Sequence, residues 1–486
     1  MAEIDRSSAE SMPAVLAAML ETQRRAFLAA LAEPIDVRKD RLLRLRAVIE
    51  SRGNEIARAV EADFGTRAVD FTRLADVLPG ISMIDYCLAN LDRWARPERR
   101  RTLRPLGLMG ARAEVRYEPK GVIGVLSPWN FPVVLAIAPL AQVLAAGNRA
   151  MLKPSEHTPI TSALFAEVLS AAFGPEELAV VTGGPDVGQA FAALRFDHLV
   201  FTGATSIGRE VARAAAANLV PVTLELGGKS PAIVSRSADL AHAAGRIALG
   251  KLMNAGQVCL APDYVLVPRE AEAALVGHVA EAARAMYPTM LANPDYTAII
   301  ADRHVERIKA LVAEAVAQGA TATVVNPADE DFAASNARKL PLTILTNVRP
   351  EMRVMREEIF GPVLPVMAYR HIDDAVTHVN AGETPLGLYW FGKDAAERER
   401  VLARARSGGV TVNDVISHVT VDDLPFGGLG ASGMGAYHGV EGFRAFSHAR
   451  AVYSQPRWDV AKLIGLKPPY GAMLKRVLRL KLGRGG

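Results

Sequence analysis

Two cysteines occur among the 486 residues, Cys87 and Cys259. That is too few for a disulfide framework. No CxxC or HExxH spacing marks a zinc site, so no metal is expected and a reducing compartment is the simpler reading. Long apolar runs are also missing. Nothing reaches the ~18 uninterrupted apolar residues of a membrane span. The nearest run, Val133 to Ala146, contains Pro139 and Gln142 and reads as buried core. The N-terminus has acids early and no basic stretch leading into an apolar run with a cleavage site, so no signal peptide is expected. Neither sign of charge prevails: 56 Lys and Arg against 52 Asp and Glu leave +4, too little over this length to imply nucleic acid. Acid is absent only locally. From Ala461 to the end, seven Lys or Arg stand without an Asp or Glu, and Leu474, Val477, Leu478 and Leu482 fall roughly on one helical face. This segment reads either as a solvated tail or partner-docked helix, or as a basic amphipathic element touching an anionic membrane.

What is present has a clear order. The length suggests about three compact units. The first hundred residues are helical in period, with Asp36–Ala62 and Leu74–Trp94 repeating apolar positions every three or four residues. Ala113–Glu118 alternates like a half-exposed strand. From Gly121 on, short apolar runs alternate with helix-length segments: GVIGVLSP, AMLKP, LAVVTGG and HLVFTG each precede one. Apolar runs without polar alternation, separated by helices, indicate parallel strands covered on both faces, the pattern of a doubly wound nucleotide-binding sheet. A second α/β stretch follows from Pro231 to about Val421, with helices near Ala271–Met286 and Arg303–Gln318. A glycine-rich loop, Leu424 to Tyr437, closes this part of the chain.

Several short stretches can carry chemistry, each with a plainer reading beside it. Phe201-Thr-Gly-Ala-Thr-Ser-Ile-Gly-Arg209 follows a strand and leads into a helix. Gly203, Thr205, Ser206 and Gly208 could present backbone N–H groups and hydroxyls to a pyrophosphate, or simply form a turn and cap. It is not GxGxxG, and Gly227-Gly-Lys-Ser230 is not a Walker loop. Cys87 sits among apolar helix neighbours and reads as inert core. Cys259, in GQVCLAP, lies between a glycine and a proline, either open to a substrate or buried as a small hydrophobe. Glu225 ends an apolar strand, Val220–Leu226, as a base for water or as an edge carboxylate paired with Lys229. Asn130, between two prolines in SPWNFP, is either an oxyanion donor or a turn residue bonding its own backbone.

Taken together, SPWNFP (127–132), KPSE (153–156), FTGATSIGR (201–209), ELGGKSP (225–231), GQVC (256–259), EEIFGP (357–362) and PFGG (425–428) follow the order and spacing of NAD(P)-dependent aldehyde dehydrogenases. The resemblance runs from about Pro119 to Gln455. GKLMNAGQVCLAPDYVLVP and GASGMGAYHGVEGFRAFSHAR resemble the class 3 branch, and VPVTLELGGKSPAIV with YPTMLANPDYTAII resembles its bacterial coniferyl aldehyde dehydrogenases. The resemblance implies an α/β aldehyde dehydrogenase fold. A Rossmann-like cofactor domain would take residues 1–106 and 120–226, with 423–445 returning to it. A catalytic domain would span 227–422, and bridging strands lie within 107–119 and 446–456. The remainder, 457–486, is the basic tail. The resemblance further implies Cys259 as nucleophile, Asn130 with the Cys259 N–H as oxyanion donors, and Glu225 as the base for thioester hydrolysis. Lys153 and Glu156 would reach the adenine ribose, Gly203 to Gly208 the pyrophosphate, and Glu358, Phe360 and Trp129 the nicotinamide end, although core packing is an equal reading for Trp129. NAD is the expected cofactor, with NADP admitted by relatives. A cytoplasmic homodimer acting on an aromatic aldehyde is expected, with peripheral membrane contact through the tail as an option. A medium- or long-chain aliphatic aldehyde fits the same motifs. CoA acylation and a non-catalytic scaffold are the competing readings; Glu225 speaks against the first, and the intact Asn130, Glu225 and Cys259 set against the second.

Overall fold

The computed structural model describes residues 11–483 apart from 32, 103 and 464. Helices come first: Met12–Ala29, Ile35–Phe64 and Val69–Trp94. The second stops at Gly65, whose φ of 79° is the left-handed turn that glycine adopts without a Cβ penalty. The third contains a π-helical turn at Arg73–Val77. Its buried face of Met83, Ile84, Cys87, Leu91 and Trp94 leaves Cys87 fully enclosed, as the sequence predicts.

Two strands, β1 (Glu98–Arg100) and β2 (Arg112–Pro119), run antiparallel. The cofactor-type sheet follows with β3 (Val122–Leu126), β4 (Arg149–Lys153), β5 (Leu178–Val180), β6 (His198–Gly203) and β7 (Val222–Leu226). A second sheet takes β8 (Pro231–Val234), β9 (Tyr264–Pro268), β10 (Thr321–Val325), β11 (Leu342–Thr346), β12 (Val363–Tyr369), β13 (Gly387–Phe391) and β14 (Gly409–Val412). The chain then adds β15 (Gly433–Met434) antiparallel to β7, and β16 (Ser447–Ser454) along the whole length of β2. Every residue of β3, β4, β8, β9 and β13 is buried, which is why all but β4, with Arg149 and Lys153 at its ends, read as unbroken apolar runs.

Strand order decides where a ligand can sit. The first sheet is ordered β15-β7-β6-β3-β4-β5, so the winding reverses between β3 and β6. Ligands of open α/β sheets occupy the crevice outside the carboxyl ends of strands at such a point. The second sheet, β10-β11-β12-β9-β8-β13-β14, faces that crevice with the segments just before β8, β9 and β12. Those segments are GGKS, GQVC and EEIFGP. The apolar run Val133–Ala146 is the buried helix Val134–Ala145, packed between strands β3 and β4 and the N-terminal helices.

Candidate active site

Between the two sheets lies a cleft of about 910 Å³, lined by Trp129, Asn130, Gly203, Thr205, Ser206, Glu225, Cys259, Glu358 and Phe360 among others. It unites residues from 129 to 360, far apart in the chain.

Cys259 reaches the cleft through a strained turn. Helix Leu240–Leu252 ends, and Asn254, Ala255 and Gly256 follow with φ of 50°, 52° and 77°. A Cβ on Gly256 would stand 2.4 Å from the Gly361 carbonyl oxygen, so the backbone approaches EEIFGP as closely as glycine permits. Gln257, wholly buried, plugs the turn: its Nε2 donates to the carbonyls of Asn254 and Ala298 (3.0 Å each), and its Oε1 accepts from Ile300 N–H (3.0 Å). The Cys259 side chain is left half-buried at the cleft wall. Burial pushes its thiol up to about 12, and the charges of Glu358 and Glu225 add to the shift.

Asn130 is buried and donates from Nδ2 to the Gln257 carbonyl (3.2 Å), across to the cysteine loop. The turn reading, in which it bonds its own backbone, does not describe it. Glu225, on β7, is also buried, with both carboxylate oxygens lacking a hydrogen-bond partner. Burial holds its carboxyl well above the usual range. The edge pair with Lys229 is likewise not formed. Lys229 instead bonds Asp263 and the carbonyls of Val354 (2.9 Å) and Glu357 (3.0 Å).

Glu358 is half-buried on the opposite wall, its carboxyl raised to about 8 by desolvation first and then by Asp263, against the Gly228 N–H, Lys229 and Arg307. Its Oε1 has no partner. Phe360, at φ 50°, meets Trp129 edge-on at 5.4 Å. On the other side, Lys153 ends β4 with Nζ 3.5 Å from Glu156 Oε2. The FTGATSIG stretch differs from a loop followed by a helix. The helix spans Thr205–Ala217, so Thr205, Ser206 and Gly208 occupy its first turns. Ala204 holds the N-cap position and supplies no side-chain oxygen, leaving the first N–H groups open. Gly208 has a packing duty: a Cβ there would strike Leu226 at 2.5 Å.

Some supporting residues carried no motif. Arg307 donates to the carbonyls of Glu358 (3.2 Å) and Ile359 (2.6 Å), and wholly buried Lys251 lies 3.4 Å from the Gly361 carbonyl oxygen. They bond backbone carbonyls remote in sequence, which no spacing rule reveals.

A dinucleotide fits this donor set. The uncapped N-terminus of helix Thr205–Ala217 favours a pyrophosphate, the unpaired Glu358 Oε1 can accept from a ribose hydroxyl, and Gly227 leaves space where a Cβ would sit 2.0 Å from Glu358 Oε2. A doubly wound sheet whose crevice also holds a thiol, a carboxyl without any partner and a second with one free oxygen has the parts of a dinucleotide-dependent oxidoreductase. The chain belongs to the aldehyde dehydrogenase family, whose profile matches residues 1–452, and is an NAD(P)-dependent enzyme acting on aldehydes. It is 52% identical over 97% of its length to a probable coniferyl aldehyde dehydrogenase of Caulobacter vibrioides, and covers 97% of that protein. It is 48% identical to the coniferyl aldehyde dehydrogenase of Pseudomonas sp. strain HR199, covering 96% of each. The substrate-bound AldH of Staphylococcus aureus superposes with a TM-score of 0.88 at 32% identity, over 96% of this chain and 99% of that one.

Proposed function

We propose that the protein oxidises an aromatic aldehyde of the hydroxycinnamyl type, such as coniferyl aldehyde, to its carboxylic acid. The observation that carries this reading is the convergence of Cys259, Asn130 and the unpaired Glu225 on one cleft. The relatives named for coniferyl aldehyde motivate the substrate.

Burial opposes charge on both the Cys259 thiol and the Glu225 carboxyl. As the sulfur adds to the aldehyde carbon its proton leaves to cleft water, and the negative charge moves onto the former carbonyl oxygen. The Asn130 Nδ2–H and Cys259 backbone N–H are the donors for that oxyanion; removing one such donor raises a barrier by roughly 3–4 kcal/mol. The dinucleotide, when bound, supplies the hydride acceptor. Glu358, Trp129 and Phe360 would hold its nicotinamide end, Gly203 to Gly208 its pyrophosphate, and Lys153 and Glu156 its adenine ribose. The Glu156 carboxylate opposes a 2′-phosphate, which favours NAD over NADP. Glu225, as carboxylate, takes a proton from the water that attacks the thioester and passes it to the departing sulfur, so that acid and free thiol are released.

The same reading divides the chain into a cofactor domain (1–106 and 120–226, with 423–445), a catalytic domain (227–422), bridging strands (107–119 and 446–456) and a tail (457–486). The placement of β15 in the first sheet supports the return of 423–445. Pairing of β2 with β16 at one side of the molecule supports a homodimer extended through that sheet. A cytoplasmic enzyme with a tail that touches anionic lipid completes the proposal.

The test is absorbance of reduced nicotinamide with NAD and coniferyl aldehyde, without CoA, beside Cys259→Ala. Signal in the wild type alone is expected. Turnover that requires CoA would replace the hydrolytic step by acyl transfer. Faster turnover of long-chain aliphatic aldehydes in the same assay would displace the aromatic substrate.

A further inference from the structure

Arg67 is completely buried, as is its partner Asp76, in a part of the chain that contributes nothing to the cleft wall. Burying a guanidinium is costly unless several of its donors are used. Here they spread in three directions. Nε reaches Thr72 Oγ1 (3.1 Å), Nη2 reaches Asp76 Oδ2 (3.2 Å), and Nη1 donates to the Asn130 carbonyl at 2.6 Å. The rings of Phe64, Phe71 and Phe131 surround the guanidinium carbon at 4.9, 5.1 and 4.9 Å. A planar fork stacked on aromatic faces suits such a site, and an ammonium does not.

Asp76 completes a clamp on the same loop. Its Oδ1 accepts from the N–H groups of Val133 (3.1 Å) and Val134 (2.7 Å), three and four residues beyond Asn130. The Asn130 carbonyl also accepts from Asn254 Nδ2 (3.1 Å), which donates in turn to the Gln257 carbonyl (3.1 Å). That Gln257 oxygen is the one receiving Asn130 Nδ2. The backbone of Asn130 and its side-chain amide are thus tied to one short network, with Arg67 at one end and the Cys259 loop at the other.

We propose that Arg67, paired with Asp76, is a positioning residue that sets the Asn130 amide against the oxyanion formed at Cys259. This rests on the oxidation mechanism proposed above. Arg67 touches neither substrate nor cofactor; its effect belongs in kcat, with the dissociation constant of NAD unchanged.

The experiment is a double-mutant cycle on the full chain using Arg67→Lys and Asn130→Ala, with kcat, NAD binding and thermal melting measured for each. Arg67→Lys is expected to lower kcat at least tenfold while NAD binding holds within twofold. In the Asn130→Ala background the same change is expected to lower kcat by less than twofold. Full multiplication of the two effects would overturn the proposal, because Arg67 would then act on something other than Asn130. If Asn130→Ala itself leaves kcat intact, the oxyanion assignment fails instead, and the two failures are distinguished. Should Arg67→Lys not fold, the neutral pair Arg67→Met with Asp76→Leu removes both buried charges together. A stable pair variant with wild-type kcat would reduce the Arg67–Asp76 contact to architecture; a stable variant with kcat lowered tenfold supports the clamp.

Discussion

A half-buried thiol near two carboxyl groups has no electrostatic reason to ionise. Cys259 is held up to about 12 by burial and by Glu358 and Glu225, and no cation is among the causes of its shift. Below that value the thiolate fraction rises tenfold per pH unit, and thiolate is the reactive species. Inactivation by iodoacetamide should therefore accelerate about tenfold per unit from pH 7 to 9, while Cys87, fully buried, stays unlabelled by mass spectrometry. A rate already level at pH 7 would show a thiol ionised by some other means. Glu225 yields a second expectation, in stability. Its folded pKa lies above the unfolded value, so the folded state holds a proton that the unfolded state has lost between the two values. Stability of the wild type then falls as pH rises from about 4.5, whereas Glu225→Gln has nothing to lose. The melting temperature of Glu225→Gln should match that of the wild type near pH 4 and exceed it by a margin that widens as pH rises above about 4.5 toward the folded value. Equal melting temperatures at all pH values would mean the carboxyl is not isolated. Both residues were legible because their chemistry sits in short runs with glycine or proline alongside. Arg67 was not, since the atoms it bonds are supplied by Thr72, Asp76 and the Asn130 backbone through folding alone.

At the scale of the element, the six residues EEIFGP owe their shape to cations outside them. Lys229, Arg307 and Lys251 take carbonyls at Glu357, Glu358, Ile359 and Gly361, and Asp263 accepts the Ile359 N–H (3.1 Å). This explains a left-handed Phe360: its backbone is determined by surrounding bonds that outweigh a strain of ~1–3 kcal/mol. It also explains Gly227, across the cleft, where a Cβ would lie 2.0 Å from Glu358 Oε2. Gly227→Ala should displace Glu358 and raise the NAD dissociation constant about tenfold or more, at least ~1.4 kcal/mol, as read by titration of protein fluorescence. Gly245→Ala, in helix Leu240–Leu252 with no atom within 4 Å of the new Cβ, is the control and should leave binding unchanged. The strands of the first sheet were readable, because residues buried on both faces leave apolar runs, whereas mostly exposed β10 gave no such run. Helix starts were less so. Ala204 lacks a capping side chain, so nothing in the sequence marked Thr205 as the first helical residue.

For the whole molecule, the remaining question is what the basic end meets. Helix Ala472–Leu482 buries none of its residues; Leu480 and Leu482 are 78% and 66% exposed, and Met473 and Leu478 are exposed beside them. Lys475, Arg476 and Arg479 gather on the side opposite Leu474 and Val477, with Leu480 and Leu482 at its flanks. An amphipathic helix in that condition binds where its apolar face can enter an interface and its cations can stay at anionic headgroups, each worth ~1 kcal/mol near the surface. Counterion screening weakens such contact over a Debye length of about 10 Å at 0.1 M salt. The full chain should therefore co-sediment with vesicles containing one-third phosphatidylserine at low salt and be released by ~0.5 M NaCl. Neutral phosphatidylcholine vesicles should leave it in the supernatant. Reversing two charges, Lys475→Glu with Arg479→Glu, should abolish co-sedimentation without altering kcat, because neither residue lines the cleft. Binding that survives the reversal would assign the membrane contact to another face. Retention of the wild type by neutral vesicles would make the apolar face alone its cause.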